Sequence, residues 1–129
     1  MAGDPTVKEL LELNQRLLDA IARADWASYQ ELCDSTLTCF EPEASGQQVE
    51  GLDFHQFYFK LGPVEGHHCT TMAAPRVRLM GDVAVVSYVR LNQRVQADGS
   101  PVTRSVEETR VWQRQNGTWK LVHFHRSLK

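Results

Sequence analysis

The chain has 129 residues, 42% of them apolar and 23% charged, with a net charge of −2. One domain of this size buries about two-thirds of the surface its unfolded chain exposes, so it needs no disulfide or metal to fold. The near-neutral balance offers nothing to nucleic acid or to an anionic membrane, and no apolar run is long enough to span one.

The cysteines are Cys33, Cys39 and Cys69. An odd number with no Cys-x-x-Cys pair argues against a disulfide framework and against a zinc site. No metal and no cofactor is therefore expected, and the thiols suit the reduced state of a cytoplasmic protein. No signal peptide is read. Residues 1–129 read as a single domain, with 1–5 disordered or a vector-derived leader.

Thr6 and Glu9 have capping-box spacing and predict a helix N-terminus. Leu10, Leu13, Leu17, Ala20, Ile21 and Ala24 follow at the helical period, with Lys8, Glu12, Gln15, Arg16 and Asp19 on the opposite face. Asp25 predicts the cap of a second, short helix from Trp26 to about Cys33. Thr36–Phe40 reads as a strand, residues 41–46 as a turn, and Gln48–Glu50 as a short extended piece. Asp53 then suits the cap of a helix through Phe54, Phe57 and Tyr58. Residues 61–67, with two glycines and a proline, read as a loop.

The remainder reads as strands. The first covers about 69–80, where Pro75 predicts an edge or a bulge. The next are Val83 to about Val95, Arg104–Gln115 and Thr118 to about Ser127, the last two joined by an Asn116-Gly117 hairpin. Helices segregated from a strand meander define an α+β fold, in which a strongly curved antiparallel sheet wraps the long N-terminal helix.

Several stretches are specific enough to compare with a known family. They are Cys39-Phe40-Glu41-Pro42-Glu43-Ala44, Val49-Glu50-Gly51-Leu52-Asp53-Phe54-His55, Leu79-Met80-Gly81-Asp82, Glu107–Trp112 and Val122-His123-Phe124-His125-Arg126-Ser127. Together they resemble the association (hub) domain of calcium/calmodulin-dependent protein kinase II, from about residue 6 to 127. The resemblance implies the cone-shaped fold of the nuclear transport factor 2-like superfamily and a non-catalytic oligomerisation role. It also implies that dimers stack into a ring that gathers kinase domains. The chain departs from the family in a loop about two residues shorter at 60–68, and in Cys69, Arg76 and Arg78 where histidines are usual. No kinase motif is present: the Gly-rich loop, the HRD catalytic loop and DFG are all missing.

The resemblance also places His55, Arg90, Arg110 and Arg126 in one pocket. Whether Arg110 and Arg126 share a face depends on the hairpin. A two-residue loop opposes them, whereas a three-residue loop with left-handed Gly117 brings them together, opposite Val122 and Val106. The three-residue loop is preferred because the pocket requires it. The pocket candidates are His55, Tyr58, Arg90, Arg110, Arg126 and Glu108.

Arginines stay charged and require anions. A small carboxylate or acidic peptide would serve as ligand, and Glu108, with Glu107, would serve as an internal counter-charge. Arg110→Ala is expected to lower anion affinity and leave the fold intact; collapse of the fold would instead mark the arginine as structural, paired to Glu108. The alternative function is a small isomerase or dehydratase of the same superfamily, with Tyr58, Tyr88, His55, His123 and His125 as candidate parts. Such an enzyme needs a carboxylate of raised pKa, which an arginine-rich pocket opposes. Trp119 and Leu121 are expected on the outer face with His123 and His125, as a patch that a second copy covers.

Overall fold

The computed structural model describes residues 4–128. The first helix, α1 (Pro5–Arg23), is capped by Asp4, whose carboxylate accepts from Thr6 N at 2.8 Å. The cap lies two residues before Thr6 because Pro5, with fixed φ and no N–H, suits the first helical position. Asp4 and Pro5 are thus part of the first element, and the expectation for residues 1–3 lies outside the described residues. The buried stripe of α1 is Leu10, Asn14, Leu17, Leu18, Ala20 and Ala22, while Leu13 and Ile21 sit at its margin.

Helix α2 (Trp26–Leu32) is capped by Asp25, as its sequence predicts. Strand β1 (Cys33–Phe40) follows without a loop. A single 3-10 turn at Pro42–Ala44 leads to β2 (Val49–Glu50) and α3 (Asp53–Phe59). Leu52, not Asp53, occupies the cap position of α3, and no side chain caps it. The long strands are β3 (His68–Met80), β4 (Val83–Val95), β5 (Pro101–Gln115) and β6 (Thr118–Leu128).

The six strands form one sheet in the order β2-β1-β6-β5-β4-β3. All pairings are antiparallel except β1 with β6, which is parallel, so the sheet is mixed rather than wholly antiparallel. Sequence patterns could not give that direction: 85 residues separate Thr38 from its partner His123, and a connection so long permits either sense. The bulge at Pro75 is present. The β3–β4 register shifts between Ala73 and Arg76 on the edge strand, with Ala74 at φ +50°.

The β5–β6 turn corrects the expected three-residue loop. Gln115 pairs with Thr118, so the loop is the two-residue Asn116-Gly117. Both residues have positive φ, +51° and +81°, as the right-handed twist of a tight hairpin demands. The arginines nevertheless share a face. A β-bulge inserts one residue between the pairs Trp112–Leu121 and Val111–His123, which flips the later part of β6. Arg110 therefore lies opposite Phe124, and Arg126 opposite Glu108, rather than opposite Val122 and Val106.

The two-residue turn also moves Trp119 and Leu121, which precede the bulge. Both face the core, at 3% and 0% exposure, not the outer surface. They pack with Leu37, Trp112 and Phe124 beneath the helices.

A buried hydrogen bond pins helix to sheet. Trp112 Nε1 donates to Asn14 Oδ1 at 3.0 Å, and both residues are fully buried. Asn14→Leu should cost about 1–3 kcal/mol, because it strands a buried indole N–H. In urea unfolding, the double variant Asn14→Leu/Trp112→Phe should show less than the sum of the two single losses.

Candidate functional site

The inner face of the sheet carries a chain of charge. On β4, Tyr88 and Arg90 point inward; on β5, Glu108 and Arg110 do so. The Glu108 carboxylate, 2% exposed, lies at the centre. Its Oε1 accepts from Tyr88 at 2.5 Å and from Arg110 at 3.2 and 3.3 Å, and its Oε2 accepts from Arg90 at 3.0 Å. Burial by itself would raise this carboxyl. The charges of Arg110 and then Arg90, with the Tyr88 hydroxyl, overcome it and hold the group at about 2. Burial likewise opposes the Arg110 charge, and Glu108 more than restores it. The Arg110 guanidinium also stacks 4.3 Å from the Phe124 ring.

Arg126 has its own acids. Its guanidinium contacts Glu43 and lies 3.7 Å from Glu41 Oε2. Glu41 Oε1 in turn lies 3.0 Å from His55 Nε2, which α3 delivers. Burial would raise the Glu43 carboxyl, but the hydrogen bond from Arg126 pulls it below its usual value. Three arginines thus meet three carboxylates: Glu41, Glu43 and Glu108. Glu107 takes no part, being exposed on the other face beside Ser127. The sequence pointed to Glu108 and Glu107 as the counter-charges and offered residues 41–46 only as a turn.

These groups surround a cavity of about 170 Å³. His55, Tyr58, Arg90, Arg110 and Arg126 all line it, with Glu41, Glu43, Tyr29 and Phe59. Glu108 lies beneath the lining, and Tyr58 stands at the exposed rim. A wider cleft of about 470 Å³ shares Ile21, Glu43, Arg90 and Arg126 and extends past Asn92 and Arg104. Two buried nitrogen atoms have no partner among the described residues, Arg110 Nη1 and His55 Nδ1. The cavity is balanced in charge yet retains an unpaired guanidinium nitrogen. Because Arg110 is 1% exposed and bound to Glu108, it belongs to the core as well as to the cavity.

Cys39, on β1, reaches the same place, with Sγ 3.5 Å from His55 Nε2. Burial and then the Glu41 charge push its thiol up to about 12. No sequence motif joined Cys39, Glu41 and His55, since a strand, a turn and a helix supply them separately.

On the outer face, His123 is half-buried and His125 exposed. His123 Nδ1 lies 2.7 Å from Thr38 Oγ1, and both rings approach Phe40. No helix among the described residues is long and apolar enough to cross a membrane.

A helical layer on one face of an unclosed sheet, with a cavity between them, is the nuclear transport factor 2-like fold class. A superfamily member from Salmonella enterica superposes with a TM-score of 0.74 at 22% identity, over 93% of this chain and 88% of that one. Within that class the family is specific. Residues 6–129 match the calcium/calmodulin dependent protein kinase II association domain, and the chain belongs to that family. It is 44% identical to the association domain of the C. elegans kinase, with a TM-score of 0.90 over 95% of each chain. It is 51% identical to a hub homology domain from Chlamydomonas reinhardtii, with a TM-score of 0.89 over 96% of this chain and 98% of that one. The rabbit kinase delta subunit is 45% identical over 93% of this chain, which spans 23% of that protein's length.

Glu108 provides a pH test. Its folded value lies below the ordinary 4.5, so its contribution is full above about 4.5 and is lost as pH falls through about 2. Thermal melts should therefore show stability declining across that window. Glu108→Gln should be less stable at neutral pH and should show a shallower acid decline.

Proposed function

We propose that this domain is a non-catalytic scaffold that joins copies of itself into dimers, and that the dimers stack into a closed ring. The observation that carries the reading is the match of residues 6–129 to the association-domain family. The outward face of the sheet supports it. Val83, Val85, Val89 and Val111 alternate with the buried residues of β4 and β5 and remain half-exposed, with Met80 beside them at 51%. That apolar row lies on the outer face, where Trp119 and Leu121 were expected, but on β3, β4 and β5 instead of β6. A two-fold contact between identical sheets would cover it on both copies at once.

The relatives are kinases of which this domain is a minor part. In a protein of that design, a ring raises the local concentration of attached kinase domains and favours phosphorylation between them. Proton abstraction from carbon finds no support at the cavity's base, because the most buried carboxylate is held acidic. The putative ketosteroid isomerase and dehydratase among the structural neighbours, each 19% identical, share the fold alone.

The same reading gives the cavity a ligand. A small carboxylate or an acidic side chain of a peptide would displace Glu43 from Arg126, beside Arg110 in the same lining. Glu43 is the candidate to move because it is exposed, whereas Glu41 and Glu108 are not.

Native mass spectrometry should find an even number of subunits, near a dozen. A monomer, or a dimer stable across concentration, would refute the ring. Val85→Lys on the outward face should break assembly while leaving the circular dichroism spectrum of the subunit unchanged. Acetate, propionate or butyrate should raise the melting temperature of the parent protein, and Arg126→Gln should reduce that rise. Arg126 suits this test better than Arg110, whose loss leaves Glu108 short of a buried partner at a cost of about 3–5 kcal/mol.

A further inference from the structure

We propose that Cys39, Glu41 and His55 form a three-ligand site for a divalent transition metal, zinc above all, with its fourth position open to the cavity. The three ligand atoms lie within 4.8 Å of one another. His55 Nε2 is 3.5 Å from Cys39 Sγ and 3.0 Å from Glu41 Oε1. Tetrahedral zinc with its usual bond lengths separates sulfur from nitrogen by about 3.6 Å and nitrogen from oxygen by about 3.4 Å. Those two separations nearly match already, and the sulfur–oxygen separation, within 4.8 Å, must come to about 3.6 Å. One thiol, one imidazole and one carboxylate are a donor set suited to zinc, and three protein ligands with an open fourth position mark a site that exchanges ligands.

The surroundings fit in three respects. The backbone fixes two ligands, because Cys39 and Glu41 lie two residues apart at the end of β1 with both side chains inward. Arg126 approaches Glu41 through Oε2, which leaves Oε1 for the metal and orients the carboxylate from behind. Glu41 and His55 line the cavity, which supplies the entry path, and Arg110 belongs to the same lining, where its charge favours an anion bound as fourth ligand.

Charge also permits it. Arg90, Arg110 and Arg126 are already matched by Glu41, Glu43 and Glu108. Binding expels one proton from the Cys39 thiol to solvent, so the ion adds a single net positive charge, which the bound anion cancels. His55 Nδ1 lacks the protein acceptor that usually steadies a metal-bound imidazole. The site should therefore bind about 10- to 100-fold more weakly than one with a complete outer shell.

The probe is cobalt(II) alone, added to the metal-free full chain with a non-thiol reductant. Four-coordinate cobalt at this site should give intense visible bands and a near-ultraviolet thiolate-to-cobalt band at one ion per chain, all removed by zinc. Cys39→Ser should abolish the thiolate band, whereas Cys33→Ser and Cys69→Ser should keep it. Glu41→Gln should retain the band at saturation but weaken binding about 10-fold or more. Melting curves without metal establish that each variant is folded. Absence of the thiolate band in the parent chain would overturn the proposal. So would a band that survives Cys39→Ser and disappears with Cys69→Ser, since that places the ion at the exposed His67-His68-Cys69 stretch instead.

Discussion

The buried carboxylate of Glu108 is the constraint around which the inner face is arranged. A lone carboxylate in that position would be driven to its neutral form by desolvation. Two guanidinium groups and a phenol prevent this, and each must come from a fixed place on the sheet. Tyr88 and Arg90 are two residues apart on β4, and Glu108 and Arg110 are two apart on β5, so strand alternation puts all four on one side. A shift of one residue in the β4–β5 register would send Glu108 and Arg110 outward and leave the β4 groups unpaired. The network thus specifies register as well as charge balance, which the apolar residues around it do less strictly.

The bulge in β6 does similar work for the last strand. Trp119 and Leu121 before it, and Phe124 and Arg126 after it, all face inward, although strict alternation would put one of these pairs outside. One extra residue lets a strand fill the hydrophobic core near the hairpin and line the polar cavity further along. Two arginines end on one face through a two-residue turn that would otherwise oppose them.

These particulars show what a sequence can and cannot display. The long strands, the Asp25 cap and the Pro75 irregularity were legible, because alternation, capping and missing N–H groups are local signals. The face of Arg110 and Arg126 was anticipated, yet the turn invoked for it was not the one present. A bulge between ordinary residues leaves no local mark, and Lys120-Leu121-Val122 carries neither glycine nor proline. Glu41 and Glu43 escaped notice because their partners, Arg126 and His55, lie on other elements. Only the parallel pairing of β1 with β6 brings the end of β1 beside Arg126. Cys39 escaped for the same reason, since a cysteine in an apolar strand looks like any small core residue.

That parallel pairing also governs when the fold can form. β1 has only the two residues of β2 as a local neighbour; its principal partner arrives 85 residues later. Until β6 docks, β1 presents an unpaired edge, while β3, β4 and β5 can already pair among themselves. Contacts so distant in the chain slow folding, and an edge left open in the meantime invites pairing between chains. In a protein built to gather its own copies, the hazard is sharpened, because the neighbours that assembly requires are also the nearest source of a wrong strand. Lengthening the intervening loops would cost little at equilibrium, about 0.6 kcal/mol per doubling of loop length. Its larger effect would be to prolong the interval in which β1 waits.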